Sequence, residues 1–354
     1  MVRAVRVCIA SYDDDPPEGG QGVYVRGLRA ALVARGVEVH TVAGRGVNAM
    51  RYRRLLHRAP LDFSLALRRD PSPLLRDSPD VVHAQGGPGG VLLLRPLPVP
   101  LVYTAHHTYR QAYPSLLAPK RALAPLERRA YARAAAVIAV SPSTADAVRA
   151  MGVPHVEVVP PGIDVDRLST FGESRREPGM MLFVGRMERE KGALAAFAAM
   201  LILTQKRPGT RGVMVGRGSL ERVVRLNLGR AGGAIEYRGA VSDEELRSLY
   251  ARASVLLMPS RYEGLGLVAL EAMAAGVAVV AYDVTGLRDA VGDAGVLVPA
   301  EDSEGLVAAT RALLDDPARR AELAARGRER VAREHSWAVA AARVEEVYRA
   351  VIAG

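Results

Sequence analysis

Short apolar runs alternate with amphipathic stretches along the chain, and this alternation predicts parallel β-sheets covered by helices. The apolar run 3–10 is followed by a helical pattern over 23–35, which Gly36 is expected to end. Residues 37–42 then alternate as a strand does, which completes a βαβ unit. Further strands are predicted over 81–83, 101–104 and 137–140, with an amphipathic helix over 123–134.

The same pattern starts again after Pro160-Pro161-Gly162 and the polar stretch 169–179. Strands are predicted over 181–185, 212–216, 235–237, 255–258, 277–281 and 296–298. Helices are predicted over 192–203, from 220, and over 242–252, where Ser242 and Glu245 form a capping-box pattern. The sequence therefore predicts an α/β protein with two Rossmann-like, doubly wound parallel-sheet domains. We assign residues 1–165 to the first domain, 166–335 to the second, and 336–354 to a C-terminal helix that packs toward the first.

Composition narrows the class of protein. At 354 residues the chain is longer than a domain with one hydrophobic core usually is, and its apolar fraction of 49% is typical of globular proteins. The single cysteine, Cys8, excludes an internal disulfide and a cysteine-based zinc site. No secretory signal follows Met1, and the apolar stretch 91–105 is broken by Arg95 and three prolines. We therefore expect a soluble cytoplasmic protein.

The formal net charge of +10 is unevenly distributed. Residues 1–170 contain 22 Lys and Arg against 14 Asp and Glu, and part of this excess lies between Arg45 and Arg76. Nucleic acid is disfavoured as a partner because no recognisable binding module accompanies the charge. Two interpretations stay open for this basic cluster: a solvated face, or a surface for an acidic acceptor or the anionic inner face of a membrane.

Two glutamates eight positions apart, Glu263 and Glu271, are the most informative chemical feature. Glu263 opens a glycine-rich turn that runs through Gly264, Leu265 and Gly266 into a predicted helix, and Glu271 lies two turns into that helix. Backbone N–H groups at such a helix start are suited to a phosphate. A carboxylate further along can accept hydrogen bonds from a vicinal diol such as a ribose. Taken alone, this spacing is more typical of surface glutamates on a solvated helix.

Other residues suited to anions lie at predicted strand ends. Arg186 and Lys191 follow a strand. The planar guanidinium of Arg186 and the ammonium group of Lys191 are both suited to binding phosphate oxygens. Gly19 and Gly20 let the backbone approach a phosphate at the start of the first helix. His106 follows another strand; its neighbour His107 points to the opposite face of an extended chain, which disfavours a metal pair.

The order and spacing of these motifs resembles the retaining GT-B glycosyltransferases of family 4, also called glycosyl transferases group 1, over nearly the whole chain. The matching segments are Pro16 to Gly22, Val184 to Arg186, Glu190 to Gly192, Ser242 to Tyr250, and Pro259 to Gly276. The resemblance implies two domains facing across a cleft. It implies transfer of a hexose-type sugar from a UDP- or GDP-sugar to an acceptor hydroxyl by a bacterial, metal-independent enzyme.

The resemblance also implies roles for individual residues. Arg186 and Lys191 stabilise the leaving diphosphate, Glu263 contacts the donor sugar and Glu271 holds the ribose. Arg238 lies where the base is usually held, and the second glycine, Gly20, meets the donor phosphate. His106, rather than His107, lies near the reacting carbon. The leaving phosphate accepts the acceptor's proton, so no covalent nucleophile, metal or further cofactor is expected. The acceptor, whether a small molecule, a glycan or a lipid-linked group, is expected to contact the loops 86–90 and 108–115.

Other functions remain open at this point. An epimerase-like GT-B enzyme would release free nucleotide without an acceptor, and a non-catalytic sugar-nucleotide-binding protein would tolerate loss of Lys191. A glycogen-type phosphorylase is disfavoured because it would need a pyridoxal lysine. The chain has only three lysines, and Lys191 already has a better explanation as a phosphate ligand. A dehydrogenase is disfavoured because no G-x-G-x-x-G pattern follows the first strand. One departure from the family pattern concerns the donor pocket: a glycine pair followed by glutamate is replaced by Thr285-Gly286-Leu287-Arg288-Asp289.

Overall fold

The computed structural model of the chain describes residues 3–17, 19–53, 59–87, 90–92, 94–112, 119–169 and 175–354. The chain divides into two compact units, one formed by Met1–Gly162 with Trp337–Gly354 and the other by Ile163–Ser336. The first unit therefore ends slightly before the predicted boundary at 165. The last helix, which we assigned to a separate segment, belongs to this first unit.

The first unit is built on a parallel sheet whose described strands are six in number and run in the order β2-β1-β3-β4-β5-β6. The strands are β1 (Arg6–Ser11), β2 (Glu38–Ala43), β3 (Val81–Gln85), β4 (Leu101–Ala105), β5 (Ala136–Ala139) and β6 (Val156–Val158). The strand order reverses direction between β1 and β3. In open α/β sheets, such a switch point opens a crevice at the carboxyl ends of the strands.

Helices cover both faces of this sheet. They are α1 (Gly20–Ala34), α2 (Ala59–Arg69), α3 (Tyr109–Ala112), α4 (Ala124–Tyr131) and α5 (Pro142–Arg149). The C-terminal helix, which is numbered α14 (Trp337–Ala353), packs against α1. Close approach explains two glycines here: a Cβ at Gly27 would lie 2.1 Å from the Trp337 ring, and one at Gly162 would lie 2.4 Å from its backbone.

The second unit has its own parallel sheet, in which six described strands run in the order β12-β11-β10-β7-β8-β9. The strands are β7 (Met180–Val184), β8 (Arg211–Val215), β9 (Ile235–Gly239), β10 (Val255–Met258), β11 (Ala278–Tyr282) and β12 (Val296–Val298). Within the unit this is the Rossmann order 3-2-1-4-5-6, and its switch point lies between β7 and β10.

The helices of the second unit are α6 (Val165–Ser169), α7 (Ala193–Lys206), α8 (Glu221–Asn227), α9 (Asp243–Arg252), α10 (Leu267–Ala274), α11 (Thr285–Val291), α12 (Ser303–Asp315) and α13 (Pro317–Glu334). The predicted cap of α9 is confirmed, because the Ser242 hydroxyl accepts a hydrogen bond from the Glu245 N–H at 3.2 Å. Helix α10 begins at Leu267, so Glu271 lies a little over one turn into the helix rather than two.

The predicted doubly wound sheets are confirmed, and the deviations are local. The sequence prediction missed the short strand β6 and seven of the described helices, namely α2, α3, α5, α6, α11, α12 and α13. Strand β6 has only three residues, with Glu157 exposed, which is too short a pattern to separate from a loop. Most other strand boundaries move by one or two residues because the ends of elements depend on tertiary contacts.

Candidate active site

The candidate site of the second unit lies at the carboxyl ends of β7 and β10, on either side of the switch point. Strand β7 leads into Gly185-Arg186 and the turn that carries Lys191, and β10 leads into Pro259-Ser260 and the turn that carries Glu263. Two segments that are far apart in sequence therefore meet because the sheet places their strands side by side.

Lys191 and Glu263 form an ion pair in this position. The Lys191 Nζ lies 2.7 Å from Glu263 Oε1, and their side chains are 23% and 11% exposed. The Ser260 hydroxyl donates a second hydrogen bond to the same carboxylate oxygen at 3.0 Å. Partial burial strengthens charge-assisted hydrogen bonds of this kind. The structure thus brings together two of the predicted site residues in a well-defined polar cluster.

The backbone that carries Lys191 is locked against the β10 segment. Gly192 has φ +68°, and a Cβ at this position would lie 1.9 Å from the Pro259 carbonyl oxygen. The Arg261 N–H also donates to the Glu190 carbonyl at 2.9 Å. Glycine is required at 192 both for its left-handed conformation and for its contact with Pro259.

Arg186 is placed differently from Lys191. Its guanidinium donates to Glu190 Oε1 at 3.0 Å, and its side chain is 59% exposed. Exposed pairs of this kind contribute little free energy, so a ligand phosphate could compete for the guanidinium. No contact is described between Arg186 and Glu263 or Glu271, and its predicted role as a diphosphate clamp stays a prediction.

The turn from Glu263 to Gly266 leads into α10. Gly266 adopts φ +86° and caps the helix without a side-chain hydrogen bond, and Leu265 is buried. Gly286 of α11 packs beneath the turn: a Cβ there would lie 2.3 Å from the Glu263 carbonyl oxygen and 2.8 Å from Gly264. The segment 285–289, which departs from the family pattern, therefore retains a glycine at the position that contacts the backbone of the Glu263 turn.

Glu271 projects from α10 and accepts a hydrogen bond from the Tyr250 hydroxyl at 2.8 Å. Burial raises the pKa of Glu271 to about 7, and the nearby Asp243 adds to the shift, while the Tyr250 hydrogen bond opposes it. No role for Tyr250 was predicted from the sequence. The signal was present, because a tyrosine that is buried on a helix usually places its hydroxyl on a polar partner.

Arg238, which we predicted near the base, has two carboxylate partners on the surface of the second unit. It lies 2.8 Å from Glu236 and 3.1 Å from Glu245. The second of these contacts holds the Glu245 side chain in an ion pair with Arg238. The structure does not link Arg238 to Glu263 or Glu271 by a described contact.

In the first unit, Gly19 is the N-cap residue of α1 and Gly20 is its first residue. The Gly19 N–H donates to Asp13 Oδ2 at 3.1 Å, and Arg45 binds the other oxygen of Asp13 at 2.9 Å. A Cβ at Gly22 would lie 2.6 Å from the same carboxylate. Asp13 thus already supplies an anionic group beside this helix N-terminus, and our sequence analysis missed it.

His106 lies just beyond β4 in the first unit. Its Nε2 lies 2.9 Å from Gln85 Oε1, at the end of the adjacent strand β3. The Tyr24 ring of α1 packs edge-on against its imidazole, with ring centroids 4.9 Å apart. Burial lowers the pKa of His106 to about 4, so the imidazole is neutral near pH 7. His107 instead places its carbonyl against Gly87.

The described part of the chain offers neither a metal-binding cluster nor a membrane-spanning helix. No group of three or more His, Cys, Asp or Glu side chains in them could hold a metal ion. None of the helices in that part of the chain has the length and apolar character needed to cross a bilayer. The predicted absence of a metal and the predicted membrane contact both stay predictions.

Comparison with known proteins adds the family. The family model described as "Glycosyl transferases group 1" matches residues 165–330, and the model described as "Glycosyltransferase Family 4" matches residues 18–167. A glycogen synthase of Mycobacterium tuberculosis is 33% identical over 289 residues, which cover 78% of this chain and 70% of that protein. The chain belongs to the family 4, group 1 glycosyltransferases. The predicted family is confirmed.

Other relatives of this glycosyltransferase differ in their substrates. A D-inositol 3-phosphate glycosyltransferase of Paenarthrobacter aurescens is 32% identical and covers 95% of this chain and 94% of its own. A phosphatidyl-myo-inositol mannosyltransferase of Mycolicibacterium smegmatis is 37% identical over 58% of this chain and 54% of its own. Both relatives are named for sugar transfer, and their names give different acceptors, so they support a transferase without identifying its substrate.

Solved structures agree with the GT-B fold. The sucrose-phosphate synthase of Thermosynechococcus elongatus superposes with a TM-score of 0.80 at 25% identity, covering 99% of both chains. WaaG, a glycosyltransferase involved in lipopolysaccharide biosynthesis, superposes with a TM-score of 0.74 at 19% identity and covers 98% of this chain and 100% of its own.

Proposed function

We propose that this glycosyltransferase moves a hexose from a UDP- or GDP-sugar to an acceptor hydroxyl with retention of configuration at the anomeric carbon. The observation that carries the proposal is the partly buried Lys191–Glu263 pair at the switch point, in the same unit as the Tyr250–Glu271 pair. An ammonium group suits diphosphate oxygens, and carboxylates accept hydrogen bonds from sugar hydroxyls. A nucleotide sugar offers both kinds of group in one molecule.

In the proposed reaction, the acceptor oxygen bonds to the anomeric carbon while the bond from that carbon to the diphosphate oxygen breaks. The departing diphosphate takes the acceptor's proton on the same face of the sugar, so no protein nucleophile is needed. Lys191 and Arg186 favour the diphosphate as it gains charge, which lowers the barrier more than it stabilises the intact donor. Glu263 orients the donor sugar, and Glu271 holds the ribose.

The remaining predicted residues have supporting roles in the proposal. Gly264, Leu265 and Gly266 offer backbone N–H groups at the start of α10, and Arg238 contacts the base. In the first unit, Gly20 meets a phosphate and His106 meets a substrate hydroxyl; the Gly19 amide is already bound to Asp13. Apart from the nucleotide-sugar co-substrate, the proposal requires no metal or further cofactor.

The acceptor remains a small molecule, a glycan or a lipid-linked group in this proposal. Exposed arginines of the basic cluster, such as Arg51, Arg53 and Arg69, support contact with an anionic membrane, whereas Arg45 is already bound to Asp13. Arg54 and Arg58 lie outside the described residues. Co-sedimentation with phosphatidylserine vesicles that weakens with salt would support this contact. The absence of binding at both low and high salt would refute it.

The proposal is tested first by ligand binding and transfer. A thermal-shift screen of UDP- and GDP-sugars identifies the donor, because a ligand at a hundred times its Kd stabilises the protein by about 2.7 kcal/mol. Transfer is then measured with that donor and acceptor-containing extracts. The anomeric configuration of the product, determined by NMR, tests retention.

Two variants test the roles of the central pair. Lys191→Ala and Glu263→Ala are each expected to lower transfer by about 100-fold, which is typical for loss of one group that stabilises the transition state. Arg189→Ala removes an exposed charge from the same turn and is the matched control. Unchanged product with both variants would favour a non-catalytic binding protein. Release of free nucleotide without any acceptor would favour an epimerase-like enzyme.

A further inference from the structure

A fully buried glutamine accompanies His106 at the ends of strands β3 and β4. Gln85 is the last residue of β3 and has no exposed surface, and its Oε1 lies 2.9 Å from His106 Nε2. Among the described residues, its Nε2 has no hydrogen-bond partner. A buried polar group without a partner costs free energy that a leucine of similar size would avoid. The contact with His106 therefore explains this amide better than packing does.

The contact determines where the imidazole carries its proton. An amide oxygen only accepts hydrogen bonds, so the partner nitrogen, Nε2 of His106, must be the N–H group. Burial holds the pKa of His106 near 4, so the ring has one proton at neutral pH. The other ring nitrogen, Nδ1, is then left with a lone pair and can only accept a hydrogen bond.

A second layer of buried side chains holds this arrangement from below. The Tyr24 ring packs edge-on against His106, and its hydroxyl lies 3.3 Å from the Thr104 hydroxyl. Thr104 in turn lies 2.7 Å from Nε2 of His83, whose Nδ1 lies 2.6 Å from the Tyr348 hydroxyl of α14. Burial lowers the pKa of His83 to about 3, so this layer places no positive charge beneath His106.

We propose that Gln85 is a positioning residue that locks His106 in the neutral Nε2–H tautomer and so presents Nδ1 as an acceptor for a substrate hydroxyl. The assignment of a substrate hydroxyl rests on the proposed function, whereas the tautomer does not. His106 then neither donates a proton nor carries charge in the reaction. Its contribution is to orient the hydroxyl.

The tautomer is measured directly by long-range nitrogen–proton NMR correlation on protein with labelled histidine. The signal of His106 is assigned by its loss in His106→Gln. We expect the Nε2–H form at pH 7 in the native chain and a mixture of tautomers in Gln85→Met, which keeps the volume and removes the amide. Gln85→Glu keeps the acceptor and adds a charge, so it is expected to raise the pKa of His106. Gln111→Met, in helix α3, is the control and should leave the tautomer unchanged.

Activity completes the test. Gln85→Met is expected to lower kcat/KM by about tenfold, the effect of losing one well-oriented hydrogen bond. An Nδ1–H tautomer in the native chain, or an unchanged tautomer in Gln85→Met, would overturn the proposal whether or not the enzyme transfers sugar. A shifted tautomer with unchanged kcat/KM would overturn the role of Nδ1. The proposed function is tested independently, because it would be contradicted by unchanged transfer in Lys191→Ala and Glu263→Ala.

Discussion

Among the individual side chains of this glycosyltransferase, Tyr250 shows most clearly how one hydrogen-bond partner affects the charge of a buried group. Its hydroxyl is the hydrogen-bond donor that favours the charged form of Glu271, against the burial that raises the pKa of this carboxyl to about 7. A ribose diol is better bound by the carboxylate than by the neutral acid. Given the proposed role of Glu271 as the ribose ligand, nucleotide binding should therefore depend on Tyr250 even though this residue need not touch the nucleotide.

We expect Tyr250→Phe to raise the pKa of Glu271 further and to weaken UDP or GDP binding by about tenfold at pH 7. As the pH is raised, the variant should reach its full nucleotide affinity at a higher pH than the native protein, because its Glu271 carboxyl has a higher pKa. Calorimetric titration between pH 6 and 9 measures both effects. Tyr282→Phe, which alters another buried tyrosine of the same unit, is the control. Identical pH profiles for Tyr250→Phe and the native chain would exclude this role.

At the scale of elements, the site depends on where turns can approach each other. The Lys191 turn and the Glu263 turn are adjacent because β7 and β10 are neighbours and because glycines at 192 and 286 leave room. The apolar runs predicted most strands well, since a buried parallel strand needs a continuous apolar segment. They could not show which turns would meet.

We expect Gly192→Ala to abolish detectable donor binding, because a Cβ would lie 1.9 Å from the Pro259 carbonyl and must displace the turn that carries Lys191. Thermal shift with the donor measures this loss. Gly209→Ala is a matched control: its φ of +80° imposes the same backbone strain, but no atom lies within 4 Å of the new Cβ. The control should lose about 1–2 kcal/mol of stability and keep donor binding. Equal donor binding in both variants would contradict the account of Gly192.

For the whole molecule, buried carboxyl groups make stability depend on pH. Glu127 of α4 is fully buried, and its carboxylate accepts a hydrogen bond from the Tyr109 N–H at 2.9 Å and lies 3.5 Å from the Tyr131 hydroxyl. Burial raises its pKa from 4.5 to about 7. The folded state therefore keeps this proton at pH values where the unfolded chain has lost it.

The sign of the effect follows from this difference. As the pH rises from 4.5 to 7, ionisation of Glu127 should lower the free energy of unfolding of the native chain by up to ~3 kcal/mol. The Glu127→Gln variant should not show this decrease. Urea unfolding of both proteins at several pH values measures the difference. Glu345→Gln is a contrasting control, because hydrogen bonding to Arg349 lowers the pKa of Glu345 and reverses the sign. Parallel stability curves for Glu127→Gln and the native chain would refute the assignment.

Sequence patterns were enough to predict the class of this protein, namely two doubly wound sheets and the family, together with Lys191 and Glu263, which meet at the switch point of the second unit. Apolar periodicity and motif spacing are local properties, so they can be recognised without coordinates. The folded structure was needed to show that Lys191 binds Glu263, that Tyr250 binds Glu271, that Asp13 accepts a hydrogen bond from the Gly19 N–H, and that Gln85 binds His106. The first two pairs and the last join different strands, helices or turns, and Asp13 reaches Gly19 across a folded loop. The three pairs depend on strand order and on packing across the sheet rather than on neighbours along the chain, and the Asp13–Gly19 contact depends on the path of its loop.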